Sequence, residues 1–140
     1  MDTTYKEAFQ NRLRHIAPEA DPSALHLLPA DIGRAALREI LETGCLSQNV
    51  ANIQLARQAV ALIDPDWLTA ALPQVVPQCL FQDPDWQEWE LRRLSEMLQG
   101  PCAVRQLPAA FRWLTGYAKT LRGPEVDEAL REISGELEHE

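Results

Sequence analysis

Asp64-Pro65-Asp66-Trp67 recurs nineteen residues later, letter for letter, as Asp83-Pro84-Asp85-Trp86. Each copy has the chemistry of a helix start. The first Asp can accept from the orphan N–H groups of a first turn, and Pro suits the first helical position, where its missing donor would have gone unused. The second Asp sets negative charge at the positive end of the helix dipole, and Trp opens the buried face. Two such starts so close together predict short helices stacked through tight turns.

Back from Asp64, the stretch from Ser47 to about Ile63 reads as a helix capped by Ser47. Val50, Ile53, Leu55, Ala56, Ala59, Val60, Leu62 and Ile63 wrap most of the way round it, leaving Gln54, Arg57 and Gln58 as a polar strip. A helix so nearly apolar all round is expected at the centre of the domain. Before it, Ala30 to Thr43 is cleanly amphipathic. Ile32, Ala36, Leu37, Ile40 and Leu41 share one half of the wheel, charged residues take the other, and Gly44 supplies a left-handed stop. Asp21-Pro22-Ser23 opens a short helical turn through Leu28. The first helix starts at Thr3 or Thr4, with Thr4 and Glu7 as a capping-box pair, and ends at Pro18.

Forward from Trp67, Leu68, Leu72, Val75, Val76, Leu80 and Phe81 form an apolar series interrupted by Pro73 and Pro77. Proline removes a helix bond and clashes with the turn before it, so a kink or a division into two short helices is expected. The second copy starts a helix to about Leu98, stopped by Gly100-Pro101. Pro108 to Leu121 is another, with Phe111, Leu114, Ala118 and Leu121 inward. The last runs from Pro124 to about Leu137, with Val126, Leu130, Ile133 and Leu137 at four-three-four spacing. No strand-like alternation or Asn-Gly hairpin turn intervenes. The fold class is all-α: one domain over residues 1–140, a compact bundle of six to eight short helices.

Leu72-Pro73-Gln74-Val75-Val76-Pro77-Gln78-Cys79-Leu80-Phe81-Gln82-Asp83-Pro84-Asp85-Trp86, followed by Trp89, Arg92-Arg93-Leu94 and Met97-Leu98, resembles a HEAT repeat. That pattern has a first helix bent at proline, an Asp-containing turn, and a second helix with an Arg near its start. Val50 to Leu72 echoes it more loosely, so the resemblance spans residues 48–98. The Arg falls later than the family places it, with Glu90 nearer that position. The resemblance implies HEAT-like antiparallel helix pairs in a curved scaffold that binds proteins and performs no chemistry. A stack normally needs three or more repeats, so an irregular bundle using one such turn is the other reading.

Composition narrows the function classes. Apolar residues at 46% and charged residues at 24% are the mix of a soluble globular chain. No run approaches the roughly 20 apolar residues of a membrane span, and Met1 to Gln10 lacks the apolar core of a signal peptide, so no membrane association is expected. Cys45, Cys79 and Cys102 are odd in number and lie far apart. They read as reduced structural thiols in a cytoplasmic protein. The net charge of −8 is uneven: residues 101–123 hold Arg105, Arg112, Lys119 and Arg122 with no acid, whereas residues 124–140 hold seven acids against Arg131. Such an acidic chain disfavours nucleic acid and suits a basic protein partner. The four bases are expected to neutralise the acidic last helix.

Catalytic and cofactor patterns are missing. His15, His26 and His139 have no ligand-spaced partner, and no phosphate-cradling glycine loop or Gly-x-Ser-x-Gly elbow is present, so no catalytic residue, metal or cofactor is assigned. Residues 39–53 match a helix-turn-helix poorly, because the would-be reading helix has one base and too many apolar faces. Trp113 and Tyr117 among the four bases could stack on single-stranded bases.

The helix after the second copy is less regular. On a wheel of about 100° per residue with Trp86 at zero, Met97, Leu94, Leu98 and Leu91 fill one arc. Glu90 falls inside that arc and calls for a partner, such as an Arg from a neighbouring helix. Trp89 falls outside it, either packed on an adjacent helix or exposed as an anchor for a partner. The candidate partner-binding residues are Asp85, Glu88, Trp89 and Glu96 here, with Glu128, Glu132 and Glu136 on the last helix. The function that fits is a non-enzymatic, acidic inhibitor or immunity-type protein that masks a basic enzyme or toxin. The alternatives are an adaptor or regulatory subunit that grips a partner helix, with homodimerisation through Val126, Leu130, Ile133 and Leu137, or a nucleic-acid-associated regulator.

Overall fold

The computed structural model describes residues 4–99 and 103–138, with side chains through residue 135. Its elements are α1 (Thr4–Ile16), a 3-10 turn (Pro22–Leu27), α2 (Ala30–Cys45), α3 (Val50–Leu62), α4 (Pro65–Cys79), a second 3-10 turn (Pro84–Trp86), α5 (Gln87–Leu98), α6 (Pro108–Ala118) and α7 (Val126–Glu138). The chain is all-helical, with no strand among the described residues. The expected start at Thr3, the stop at Gly100-Pro101, Cys102, His139 and the side chains of Glu136 and Leu137 lie outside the described residues.

The hub is α2. It packs against α1, the first 3-10 turn, α3, α4 and α5, and it buries Ala36, Leu37, Ile40, Leu41 and Cys45 completely. Each fully buried Leu or Ile contributes about 1.5–3 kcal/mol. The expectation that α3 holds the centre is therefore corrected. Val50 and Leu62 are 65% and 58% exposed, and within α3 only Ile53, Ala56, Ala59 and Val60 are buried. An apolar wheel shows which faces could be covered, and the packing of α1, α2 and α5 covers only part of this one. The helix also starts later than expected. Asn49 is the cap, accepting from Asn52 N–H at 3.2 Å, while Ser47 Oγ accepts from Asn49 N–H at 3.0 Å.

Gly44 has another role than a left-handed stop. Helix α2 runs through it to Cys45, and a Cβ at Gly44 would lie only 2.5 Å from Ala56 Cβ and closer still to Met97 Cε. The bare backbone lets α3 and α5 close on the hub. Helix α4 is also continuous, with Pro73 and Pro77 inside it. Both prolines sit on its exposed face, so the carbonyls they leave unbonded, one turn back on that face, can turn to water.

The twin tetrapeptides fold differently. Asp64 caps α4 by accepting from Trp67 N–H at 2.9 Å, and Trp67 packs against the core with its ring edge over Gly33, where a Cβ would lie 3.0 Å from Trp67 Cζ2. Asp83 instead accepts from Asp85 N–H at 3.0 Å, and Trp86 N–H bonds back to the Asp83 carbonyl at 3.0 Å. The tighter 3-10 turn delays α5 to Gln87 and leaves Trp86 45% exposed. Trp86 does not open a buried face.

At the C-terminal end, α6 stops at Ala118, with Phe111, Leu114 and Ala118 buried as expected. Helix α7 lays Val126 and Ala129 into the core, and Leu130 and Ile133 pack against it, facing α5 and α6.

Candidate functional site

Phe81, in the loop between α4 and the second 3-10 turn, has φ 65°. A left-handed backbone costs a residue with a Cβ about 1–2 kcal/mol, so neighbouring groups must hold it. They come from the first turn of α5. The Phe81 N–H donates to Glu90 Oε1 at 2.7 Å, and Gln87 Nε2 donates to the Phe81 carbonyl at 2.8 Å. Gln82 adds bonds from Nε2 to the carbonyls of Pro77 (2.7 Å) and Leu80 (2.8 Å). On its other side, Gln87 Oε1 accepts from Gly123 N–H and, at 3.0 Å, from Arg122 N–H. Two buried polar side chains of α5 thus tie together the 80–83 loop and the connection before α7.

This knot borders a cleft of about 690 Å³. Trp86, Trp89, Leu46, Cys45 and Cys79 supply its apolar lining, and Gln48, Gln82, Asp83 and Glu90 its polar lining. Its charged residues are both acids; among the described residues, no Lys, Arg or His lines it. Glu90 is only 3% exposed. Its carboxyl pKa is raised above the ordinary value because burial penalises the charge. The Phe81 N–H opposes that shift, and Asp83 adds to it. The Phe81 bond occupies Oε1; Oε2 has no hydrogen-bond partner among the described residues.

The two thiols in the lining are buried and unpaired. Burial pushes Cys79 up to about 12 and Cys45 higher still, so at neutral pH they behave as apolar surface and not as nucleophiles. Among the described residues, no group of three or more His, Cys, Asp or Glu is placed to hold a metal. The arrangement can hold a ligand with an apolar body and a positive charge.

Of the residues expected to bind a partner, Trp89 lines the cleft, half-buried, with the Arg93 guanidinium 4.3 Å over its ring. Asp85 lies exposed in the adjoining turn, and Glu128 is exposed on α7. The other described acids are engaged within the chain. Arg92 ties Glu88 to Glu132, the latter at 2.8 Å, and so links α5 to α7. Glu96 pairs with Arg93 at 2.8 Å and with Arg57 of α3 at 3.3 Å. Glu136 lies outside the described side chains.

Two electrostatic expectations are corrected. Glu90 takes a backbone N–H and no Arg, because the left-handed turn at Phe81 brings an amide to it first. Arg105, Arg112, Lys119 and Arg122 are exposed, and their side chains make no ion pair among the described residues. The base that meets α7 is Arg92.

Sequence reasoning missed Gln87, Trp86 and the contribution of Cys45 and Leu46 to the cleft. Gln87 had a signal: at about 100° from Trp86 on the wheel, it lies in the same arc as Glu90. Leu46 and Cys45, some forty residues upstream, had none. Compared with protein-family models, curated proteins and solved structures, the chain has no match in any of the three.

Proposed function

We propose that this chain is a non-catalytic protein-binding module for a basic partner, with the cleft at Trp86 and Trp89 as the centre of its interface. One observation carries the reading: two tryptophans, one of them nearly half exposed, line a cleft whose only charged groups among the described residues are carboxylates. Trp dominates binding hot spots where it meets a desolvated pocket, and acidic surroundings steer a basic partner and reject acidic ones. The net charge of −8 supports the same polarity. An inhibitor or immunity-type protein that masks a basic enzyme or toxin is the sharpest form of this proposal. The HEAT-like resemblance belongs to it, as a helical scaffold that presents a binding surface. Because Glu88, Glu96 and Glu132 are engaged by arginines of the chain itself, Asp83 and Asp85 are the acids we assign to the rim, with Glu128 a further exposed acid on α7.

Affinity capture from the native host, at low and at high salt, tests this reading. The expected result is one basic protein recovered at low salt, diminished at high salt, and lost when Trp86→Ala replaces the wild type. An exposed residue such as Trp86 can be truncated without opening a core cavity, so that loss reports on binding. Recovery of no basic partner at low salt, or equal recovery by Trp86→Ala, would overturn it. A partner held equally at both salts would favour the adaptor that grips an apolar helix.

A further inference from the structure

The cleft has a specificity that its acidity alone does not describe. Resting on the protein-binding function proposed above, we infer that it recognises an arginine side chain of the partner together with the apolar residue beside it, the guanidinium lying against indole and paired with Glu90.

Charge complementarity is the first support. Among the described residues, Asp83 and Glu90 are the only charged ones in the lining, and the thiols of Cys45 and Cys79 stay neutral. Glu90 is held nearly out of water, and one of its oxygens has no partner among the described residues. That second oxygen is not among the buried atoms left without a partner, so it stays open to the cleft, where a charge-assisted donor from a ligand can reach it.

The aromatic lining narrows the cation. Arginine stacks on indole through a flat, weakly hydrated guanidinium, which lysine lacks. Trp89 already does this within the chain, carrying Arg93 at 4.3 Å, and Arg93 is not part of the cleft lining. The remaining lining joins the amides of Gln48 and Gln82 to an apolar patch. Leu46, itself half exposed, and the two cysteines offer a surface with no hydrogen-bonding demand beyond weak thiols. A cleft of about 690 Å³ is larger than one side chain and has room for a neighbouring Leu or Phe.

Calorimetric titration with three capped dipeptide amides isolates this claim: acetyl-Leu-Arg, acetyl-Leu-Lys, and acetyl-Leu-citrulline, which keeps arginine's shape without its charge. The arginine peptide should bind roughly tenfold more tightly than the citrulline one and more tightly than the lysine one. Glu90→Gln keeps an oxygen for the Phe81 N–H and should erase most of that preference. Asp83→Asn keeps a cap for the turn and should weaken binding less. Trp86→Ala should weaken all three peptides. Equal binding of arginine and citrulline peptides, or an unchanged preference in a folded Glu90→Gln, would overturn the inference. Should Glu90→Gln not fold, the peptide series with wild type and Trp86→Ala decides between the same two outcomes. The two readings fail separately. A salt-sensitive basic partner lost on Trp86→Ala, together with no arginine preference, leaves the protein-binding function standing and removes only the arginine pocket.

Discussion

Glu90 is a carboxylate whose surroundings disagree about its proton. Burial raises its pKa and Asp83 adds to that, while the Phe81 N–H pulls the other way; the balance is upward. The folded chain therefore holds this proton at a pH where the unfolded chain has released it. Stability linked to Glu90 is full below the ordinary carboxylate range and falls as pH rises through the raised folded value. Glu90→Gln removes that dependence. Urea unfolding of both proteins from acid to neutral pH should show the variant gaining on the wild type as pH rises; a difference constant with pH would clear Glu90 of the role. The glycines offer a second test at this scale. Gly44→Ala forces a methyl against Ala56 and Met97, and overpacking of this kind costs about 1–3 kcal/mol. At Gly116 a Cβ meets nothing within 4 Å, so Gly116→Ala should stabilise α6 by about 0.5–1 kcal/mol. The midpoints of urea curves should move in opposite directions.

Among the elements, α5 carries most of the site, and its sequence was partly legible. Periodicity alone places Glu90 inward and Trp89 off the stripe. It also places Gln87 inward, between Leu94 and Leu98 on the same arc. What could not be read is the geometry that α5 imposes on the loop before it. A left-handed residue usually announces itself as Gly or Asn, but Phe81 is forced there by bonds from side chains six and nine positions ahead. Gln87→Ala should show how much that costs. It leaves the Phe81 carbonyl and the Arg122 and Gly123 amides without their partner, and each unsatisfied buried group costs about 1–3 kcal/mol. A loss of at least about 2 kcal/mol in chemical unfolding is expected, larger than that of Trp86→Ala. Helix α4 teaches the converse lesson. Prolines at positions 73 and 77 argue for a break, yet both fall on one exposed face, and the helix carries through.

For the molecule as a whole, the all-α class and the starts of α2, α4 and α6 follow from caps, prolines and spacing, because those signals act within a turn or two. The hub does not, since coverage of α2 or α3 depends on which distant helices arrive. The cleft is illegible for the same reason: Leu46 meets Trp86 and Trp89 only through the fold. Charge is also arranged at this scale. The chain's arginines on α3 and α5 consume Glu88, Glu96 and Glu132, whereas the four bases of residues 101–123 face solvent. Rapid-mixing measurements on the captured partner should therefore show an association rate that falls with ionic strength, with Trp86→Ala acting mainly on dissociation. Finally, the bond from Phe81 to Glu90 equips the molecule with its own spectroscopic gauge. An amide proton held at 2.7 Å donor–acceptor distance by a buried carboxylate should resonate far downfield in a nitrogen–proton correlation spectrum. It should move when the carboxylate changes charge or when a cation comes to share it. One backbone resonance would then report both the protonation and the occupancy of the cleft, with no label attached to either partner.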